Sequence, residues 1–578
     1  MWDLVDNRSD IARLEDQFAP FIQPLFGTSD ETLEAGYFNG TIFRFPLRMQ
    51  AGQSDLCQTV YSPQKVKDLF NLLEADAHSL LLFLKSLKTI EVYEKVDSDL
   101  APTMLMTVKI SQNTEMEITT KRAELIEQIG QRQCGSIQSA VSVTYNMTTE
   151  LTQQRHVETE PEVTKCCWVI SQFYGCDEDV SSVREFSSTL GVLPWVAVAV
   201  LVESTEEIVS GFRDRPHGHI FCFLPLPREP ESPTGLRVHV HGYFAVEQNR
   251  RHIKRRTSEQ INEKITDEAI LWNEYLINCL LPKALVNLAQ YIAESWSVEN
   301  AVLHRNLMYS VIPDMAAVTI YWKPLAVAFY QQLPSLPVFY SPVNEGRFLQ
   351  MKDVLFDDIE DTSCLTELIR RILFLNQTDL ASVPSYILQQ LGSSAARVPA
   401  RLVCTALKNA ELRQMLEDSE IMLLLRYLVD GLKGQESVIA SDVWHIASRL
   451  NIVLCSDSDS ATACLQCGNE LVGFLEQHCY LLAATVPSCS DSLLNLLKQV
   501  RWVPVMRCRP DRYPKPLPFH GENYGSLLAC PSDVLSSEHC FLVGSVKQCL
   551  DTSVSNIARL AAEFELTREP NIDDVAAV

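Results

Sequence analysis

The chain has 578 residues, 46% of them hydrophobic and 21% charged, which is enough apolar material for roughly two to four domains and too much for a disordered tail. Its 73 acidic residues outnumber 49 basic ones, a net charge of -24 that argues against non-specific binding to nucleic acid or to an anionic membrane surface. The 18 cysteines are scattered and the N-terminus, MWDLVDNRSD, has neither a basic nor an apolar leader region, so the cysteines read as reduced thiols of a cytoplasmic protein and the sequons at Asn7, Asn39, Asn146 and Asn376 carry little weight.

Taken in order, residues 1–55 read as a fragment of a domain. They include Asp16-Gln17-Phe18-Ala19-Pro20-Phe21 and a Gly-Thr strand, Asn39-Gly40-Thr41-Ile42-Phe43-Arg44-Phe45. Over residues 61–87, Val66, Leu69, Phe70, Leu73, Leu80, Leu81, Phe83 and Leu84 recur mostly at three- and four-residue spacing, which predicts a helix. Strands are predicted at 92–93, 105–110, 116–118 and 141–145, then at 166–170 and 196–202, with a solvated acidic loop at 158–162. The most apolar window, 191–202, is about a dozen residues long and contains Pro194, too short to span a bilayer.

The stretch 218–256 organises the chain. Ile220 to Leu224 predict a strand closed by Pro225 and Pro227, and prolines 225, 227, 230 and 233 with Gly235 predict a turn. In the next strand, 237–244, Val238 and Val240 share one face while Arg237, His239 and His241 share the other, the pattern of a half-buried strand. A basic cluster follows: Arg250, Arg251, His252, Lys254, Arg255 and Arg256. Leu271, Tyr275, Leu276, Cys279, Leu280, Leu285, Leu288 and Ile292 then form one helical stripe, with a kink expected at Pro282, which lacks a backbone donor.

Leu333-Pro334-Ser335-Leu336-Pro337, followed by Ser341-Pro342, reads as a domain boundary. Beyond it, apolar-periodic segments at 365–375, 386–391, 400–407, 412–432 and 442–454 predict a mainly helical part. Residues 502–506 predict a strand, and prolines 510, 514, 516 and 518 an extended segment. The fold class is therefore α/β in the α+β sense: a fragment at 1–55, a mixed sheet-and-helix domain at 56–340 and a mainly helical part at 341–578.

No P-loop, dinucleotide glycine fingerprint or His-Glu-x-x-His motif is present, and no nucleophile has an identifiable base, so no catalytic residue is assigned and the chain is not expected to be an enzyme. Cys464 and Cys467 with His478 and Cys479 could supply four zinc ligands, but the second pair is adjacent in sequence, and buried reduced cysteine is the default. His217, His219, His239 and His241 would cluster if their strands pair; with no carboxylate to orient them they read as strand-surface histidines, and no metal is expected.

The stretches 16–21 and 39–48, the run Phe223-Leu224-Pro225-Leu226-Pro227, Thr234-Gly235-Leu236, the triplet Asn249-Arg250-Arg251 and the segment LWNEYL at 271–276 together resemble the sacsin repeat family, whose modules are similar to the ninety-kilodalton heat-shock chaperones. The Gly-Thr strand is similar to the last strand of the GHKL-type ATPase domain, which implies that Gly40 and Thr41 lie beside an adenine pocket. The chaperones' middle domain carries a loop arginine that stabilises charge on the ATP γ-phosphate, and by resemblance Arg250 or Arg251 takes that place, although the chaperones have Ser-Arg-Glu where this chain has Asn-Arg-Arg.

The helical Glu and Asn that hold magnesium-ATP in that family, its D-x-G-x-G turn and its glycine-rich lid are missing here. The resemblance thus implies a partial repeat with no cofactor of its own, using ATP and magnesium only through an upstream domain. It implies a chaperone or co-chaperone module in cytoplasmic protein quality control, whose partners are client proteins, other chaperones of the seventy-kilodalton heat-shock system and neighbouring repeats, with no nucleic acid or membrane. Two further readings compete with it: a nucleotide-independent scaffold for client or filament proteins, and a chromatin ATPase relative that uses the basic run on DNA. On the residues alone, the arginines could equally pair with local carboxylates such as Glu247 and Glu259.

Overall fold

A computed structural model describes residues 59–94, 102–133, 140–154, 161–175, 189–204, 217–227, 234–256, 267–295 and 301–407, scattered positions between 43 and 52 and between 409 and 427, and four short strands between 503 and 550. Two compact units, Met1–Ala77 and His78–Val578, are described separately. In the first, helix α1 (Pro63–Asp76) begins where Ser62 Oγ accepts the Lys65 N–H at 3.3 Å and Pro63 supplies a preset φ at the first turn.

The helix expected over 61–87 stops at Asp76. Leu80, Leu81, Leu82 and Phe83 are buried in turns instead, because other groups claim the carbonyls a helix would use. Arg122 donates to Leu84 O at 2.8 Å and to Leu82 O at 3.1 Å, and Thr149 Oγ1 donates to His78 O at 3.0 Å. The strand expected at 116–118 is likewise corrected: those residues belong to helix α2 (Gln112–Gln133), whose inward stripe of Ile118, Arg122, Leu125 and Ile129 only shows over three turns.

Eight strands form one sheet among the described residues, in the order β1-β2-β3-β4-β5-β8-β6-β7. They are β1 (Thr89–Glu94), β2 (Thr103–Ile110), β3 (Val141–Gln153), β4 (Glu162–Tyr174), β5 (Trp195–Ser204), β6 (Ile220–Cys222), β7 (Leu224–Pro225) and β8 (His239–Gly242). All pairs are antiparallel except β6 with β8. The spine is the β3–β4 pair, in register from Val141↔Tyr174 to Gln153↔Glu162.

The two faces differ because β5 alternates large and small. Val196, Val198 and Val200 point into the main core with Val169, Phe173 and Val240, while Ala197 and Ala199 lie opposite His241 and His239 on the other face. The alanines leave room for imidazoles, so the strand expected to be half-buried is buried on both faces, and the histidines expected on its surface are not there. His239 packs against Trp168 and Phe221, with ring centroids 5.3 Å away in each case, and its Nδ1 accepts the His219 N–H at 2.9 Å. His241 stacks on Phe83 at 4.9 Å, its Nδ1 3.3 Å from the Phe223 N–H and 3.2 Å from Phe221 O. Both rings thus tie β8 to the short segment beside it. Among the described residues no group of His, Cys, Asp and Glu side chains could hold a metal ion; Cys464, Cys467, His478 and Cys479 lie outside them.

A long helix covers the valine face: α3 (Glu268–Tyr275), a π-helical segment Leu276–Leu280, and α4 (Leu281–Glu294). Its start is set by Asp267, whose Oδ1 accepts the Ala269 N–H at 2.9 Å. The kink expected at Pro282 takes the form of the π segment, where the Leu281 N–H reaches Leu276 O five residues back; the wide turn absorbs the bond that Pro282 cannot make. Glu268–Glu294 is long and apolar enough to cross a membrane, but Leu276, Leu280, Leu281, Leu285, Leu288 and Ile292 are buried in the core.

Helices α5 (Ala301–Val311) and α6 (Lys323–Gln332) complete that core, and Thr234-Gly235-Leu236 packs beside them. Gly235 has φ 76°, and a Cβ there would sit 2.0 Å from Ala317 O, so only glycine fits. The proline-rich stretch 333–342 lies inside the packing: Leu333, Leu336, Val338 and Phe339 share one buried cluster with Val169 and Phe356. Beyond it come a hairpin of β9 (Phe339–Ser341) and β10 (Arg347–Leu349), and the parallel pair β11 (Leu355–Asp358) and β12 (Leu380–Val383) joined through α7 (Cys364–Leu375). Then follow α8 (Ser385–Leu391), α9 (Ala400–Ala406) and a separate sheet, β14-β13-β16-β15, of β13 (Val503–Met506), β14 (Leu527–Ala529), β15 (Val534–Leu535) and β16 (Gln548–Leu550).

Burial lowers the His241 pKa from 6.5 to about 4, opposed by the Phe221 carbonyl and assisted by the nearby Lys85 charge. The unfolded chain therefore takes up a proton on falling from pH 6.5 towards 4 that the folded chain refuses. His241 is expected to remove up to about 3 kcal/mol of stability across that window. Urea midpoints at pH 7 and pH 4.5 should show a smaller acid loss in His241→Gln than in the parent.

Candidate functional site

The basic cluster of 250–256 is carried on a β-hairpin. Its arms are joined by the Lys254 N–H to Ala245 O at 2.8 Å, the Val246–Ile253 bridge and the Glu247 N–H to His252 O at 3.0 Å. A turn at the tip is closed by the Arg250 N–H to Glu247 O at 2.9 Å, and Asn249 Oδ1 accepts the Arg251 N–H at 2.9 Å. Arg250 has φ 56°, a left-handed conformation that costs a residue with a Cβ about 1–2 kcal/mol. Its guanidinium makes no ion pair among the described residues. Arg250 and Arg251 are both exposed.

The base of the hairpin is fixed by the segment LWNEYL. Asn273, fully buried, accepts the Ala245 N–H through Oδ1 at 2.8 Å and donates through Nδ2 to Ala245 O at 2.8 Å and Lys254 O at 2.7 Å. One carboxamide thereby holds both arms. Beside it the Trp272 indole N–H donates to Tyr243 O at 2.8 Å, and Glu274 takes Arg256 in a two-pronged ion pair, Nη2 to Oε2 at 2.6 Å. Lys254 lies 3.6 Å from Asp267.

The structure thus divides the basic run. Lys254 and Arg256 anchor the base to the helix, whereas the tip projects Arg250 with no carboxylate partner among the described residues. Expected pairing of Arg250 with Glu247 is not observed, and Glu259 lies outside the described residues. Gly40 and Thr41 also lie outside them. The Arg250 charge reaches Cys222, where it opposes the rise in thiol pKa that burial causes. Chemically, a guanidinium on a firmly based turn is suited to meeting an anionic oxygen. Asn273 and Glu274 carry no signal in composition or periodicity; only the motif itself pointed to them.

These features define an α+β module: a mixed sheet backed by one long helix that clamps an arginine-tipped hairpin. Residues 4–107 match the family model described as Sacsin domain, a span that includes Gly40 and Thr41. The chain is 30% identical over 423 residues to Sacsin of Homo sapiens, which covers 72% of this chain and 9% of that protein. The chain is a sacsin repeat region, and it spans about a tenth of the length of the curated relative it matches.

Replacing Asn273 by alanine removes the partner of the Ala245 N–H and of the Lys254 carbonyl, leaves the Ala245 carbonyl with the Lys254 N–H alone, and should cost about 3 kcal/mol. Asn273→Asp, which keeps the acceptor but loses both donor bonds and buries a charge, should cost at least as much. Urea denaturation reads the loss, and faster hydrogen exchange at Ala245 and Lys254 would locate it at the hairpin base.

Proposed function

We propose that this chain is a chaperone or co-chaperone module of a sacsin-like protein, working in cytoplasmic protein quality control. Its ATP coupling runs through an upstream GHKL-type domain, with Arg250 as the arginine that reads the γ-phosphate and Arg251 as the neighbouring candidate. The observation that carries this reading is the tip of the hairpin: an exposed guanidinium, without an ion pair among the described residues, held at φ 56° on a base fixed by Asn273. Strained backbone at an exposed cation is more readily understood at a site of charge recognition than on a passive surface.

In this reading the module does no hydrolysis alone and needs no cofactor of its own. Gly40 and Thr41 contribute the edge of the adenine pocket, and magnesium-ATP binds only when the upstream domain is joined. Clients and the seventy-kilodalton heat-shock system are the partners, with other repeats of the longer protein as neighbours.

The test is a longer protein carrying the upstream domain. Arg250→Ala should lower ATP turnover by about a thousandfold while binding changes little, as for removal of an arginine finger. Arg251→Ala separates the two candidates. If both variants turn ATP over like the parent, or the longer protein does not bind ATP, the nucleotide-independent scaffold for client or filament proteins replaces this reading.

A further inference from the structure

The side chain of Lys85 ends among three aromatic rings drawn from three separate places in the sequence. Its ammonium lies 4.6 Å from the centroid of Trp195, 5.2 Å from that of Tyr243 and 5.5 Å from that of Phe223, and it donates to the Tyr243 hydroxyl at 2.5 Å. Trp195 opens β5, Tyr243 follows β8 and Phe223 sits between β6 and β7. The rings support one another, Phe223 edge-on to Tyr243 at 5.0 Å and Trp195 stacked on Tyr243 at 6.1 Å. Phe223 has φ 68°, a conformation that a bulky residue keeps only where its surroundings hold it.

Lys85 is exposed, and no carboxylate pairs with it among the described residues. Its docking therefore depends on positive charge against π faces and on one hydroxyl. The same turn-rich stretch is fastened at two other points, where Arg122 takes the Leu82 and Leu84 carbonyls and Lys88 meets Glu115 at 2.5 Å. Lys88 pairs with a carboxylate, whereas the partners of Lys85 are aromatic faces and one hydroxyl.

We propose that Lys85 is a modification site that works as a charge-read latch: acylation of Nζ releases the stretch around it from the aromatic cage, whereas monomethylation, which keeps the charge and an N–H for Tyr243, leaves it docked. Acylation by a thioester forms the Nζ–C amide bond and breaks the C–S bond. The ammonium loses one proton to solvent before attack, and a second passes to the departing thiolate. The amide is neutral and no longer attracted to the rings, whereas a methylated ammonium stays cationic.

The test places Nε-acetyl-lysine or Nε-monomethyl-lysine at position 85 of the full chain, alongside Lys85→Gln and Lys85→Arg. The Trp195 fluorescence is obtained by difference from a Trp195→Phe counterpart of each. Acrylamide quenching of Trp195 and hydrogen exchange at the Leu82 amide should rise roughly two- to fivefold in the acetylated and Gln forms and stay at parent values in the monomethylated and Arg forms. Unchanged exchange in β4 confirms that the sheet is intact. Parent-like quenching in the acetylated form overturns the proposal, and so does an equal rise in all four, which would make the fit one of shape and not of charge.

Discussion

The carboxamide of Asn273 sits out of water between two backbone segments, and its three hydrogen bonds give the basic hairpin a fixed angle to the helix behind it. Only a side chain with both donor and acceptor can do this: aspartate would offer no hydrogen, and leucine would strand the Ala245 N–H and the Lys254 carbonyl. Trp272 and Glu274 on either side extend the same grip to Tyr243 and Arg256. The tip is thereby placed before any partner arrives, so the conformational entropy of positioning Arg250 falls on folding and not on binding.

The clamp works because the helix that carries it is itself held by the sheet. The valine face of β5 presses on that helix, while the alanine face accepts the two histidines, Trp168 and Phe83. One strand therefore serves an aliphatic core on one side and an aromatic, hydrogen-bonded layer on the other. Arg122 and the carbonyls it binds close the second layer, with the Tyr145 hydroxyl 3.0 Å from its Nε and Gln172 Nε2 2.7 Å from that same hydroxyl.

Much of the fold was legible where a long period was present. The stripe from Leu271 to Ile292, the strands at 105–110, 166–170 and 196–202, and the helices near 365, 386 and 400 all stand where periodicity puts them. The errors have a common cause in partners far away in sequence. Met116 to Ile118 look like a strand because three residues are too few to show a helical face. His239 and His241 look like surface residues because nothing near them announces Ala197 and Ala199. At the site, the basic run was plain, but its division was not: Arg256 finds Glu274 eighteen residues on, and Asn273 finds both arms of the hairpin only through the fold. The family motifs marked the right residues without giving their task, which is mainly mechanical for Gly235, Trp272, Asn273 and Glu274.

The π-helical turn at Leu276–Leu280 behaves as one residue inserted into an otherwise regular helix. Before it, Trp272 and Asn273 bond the backbone of the hairpin segment, and after it Leu285 and Leu288 lie in the core with the valines of the sheet. Were the same residues wound as ordinary helix, one half would swing against the other by about 100°, the advance of one residue, and the wide turn takes up that advance. The length of this turn, more than its composition, keeps the hairpin and the sheet in phase.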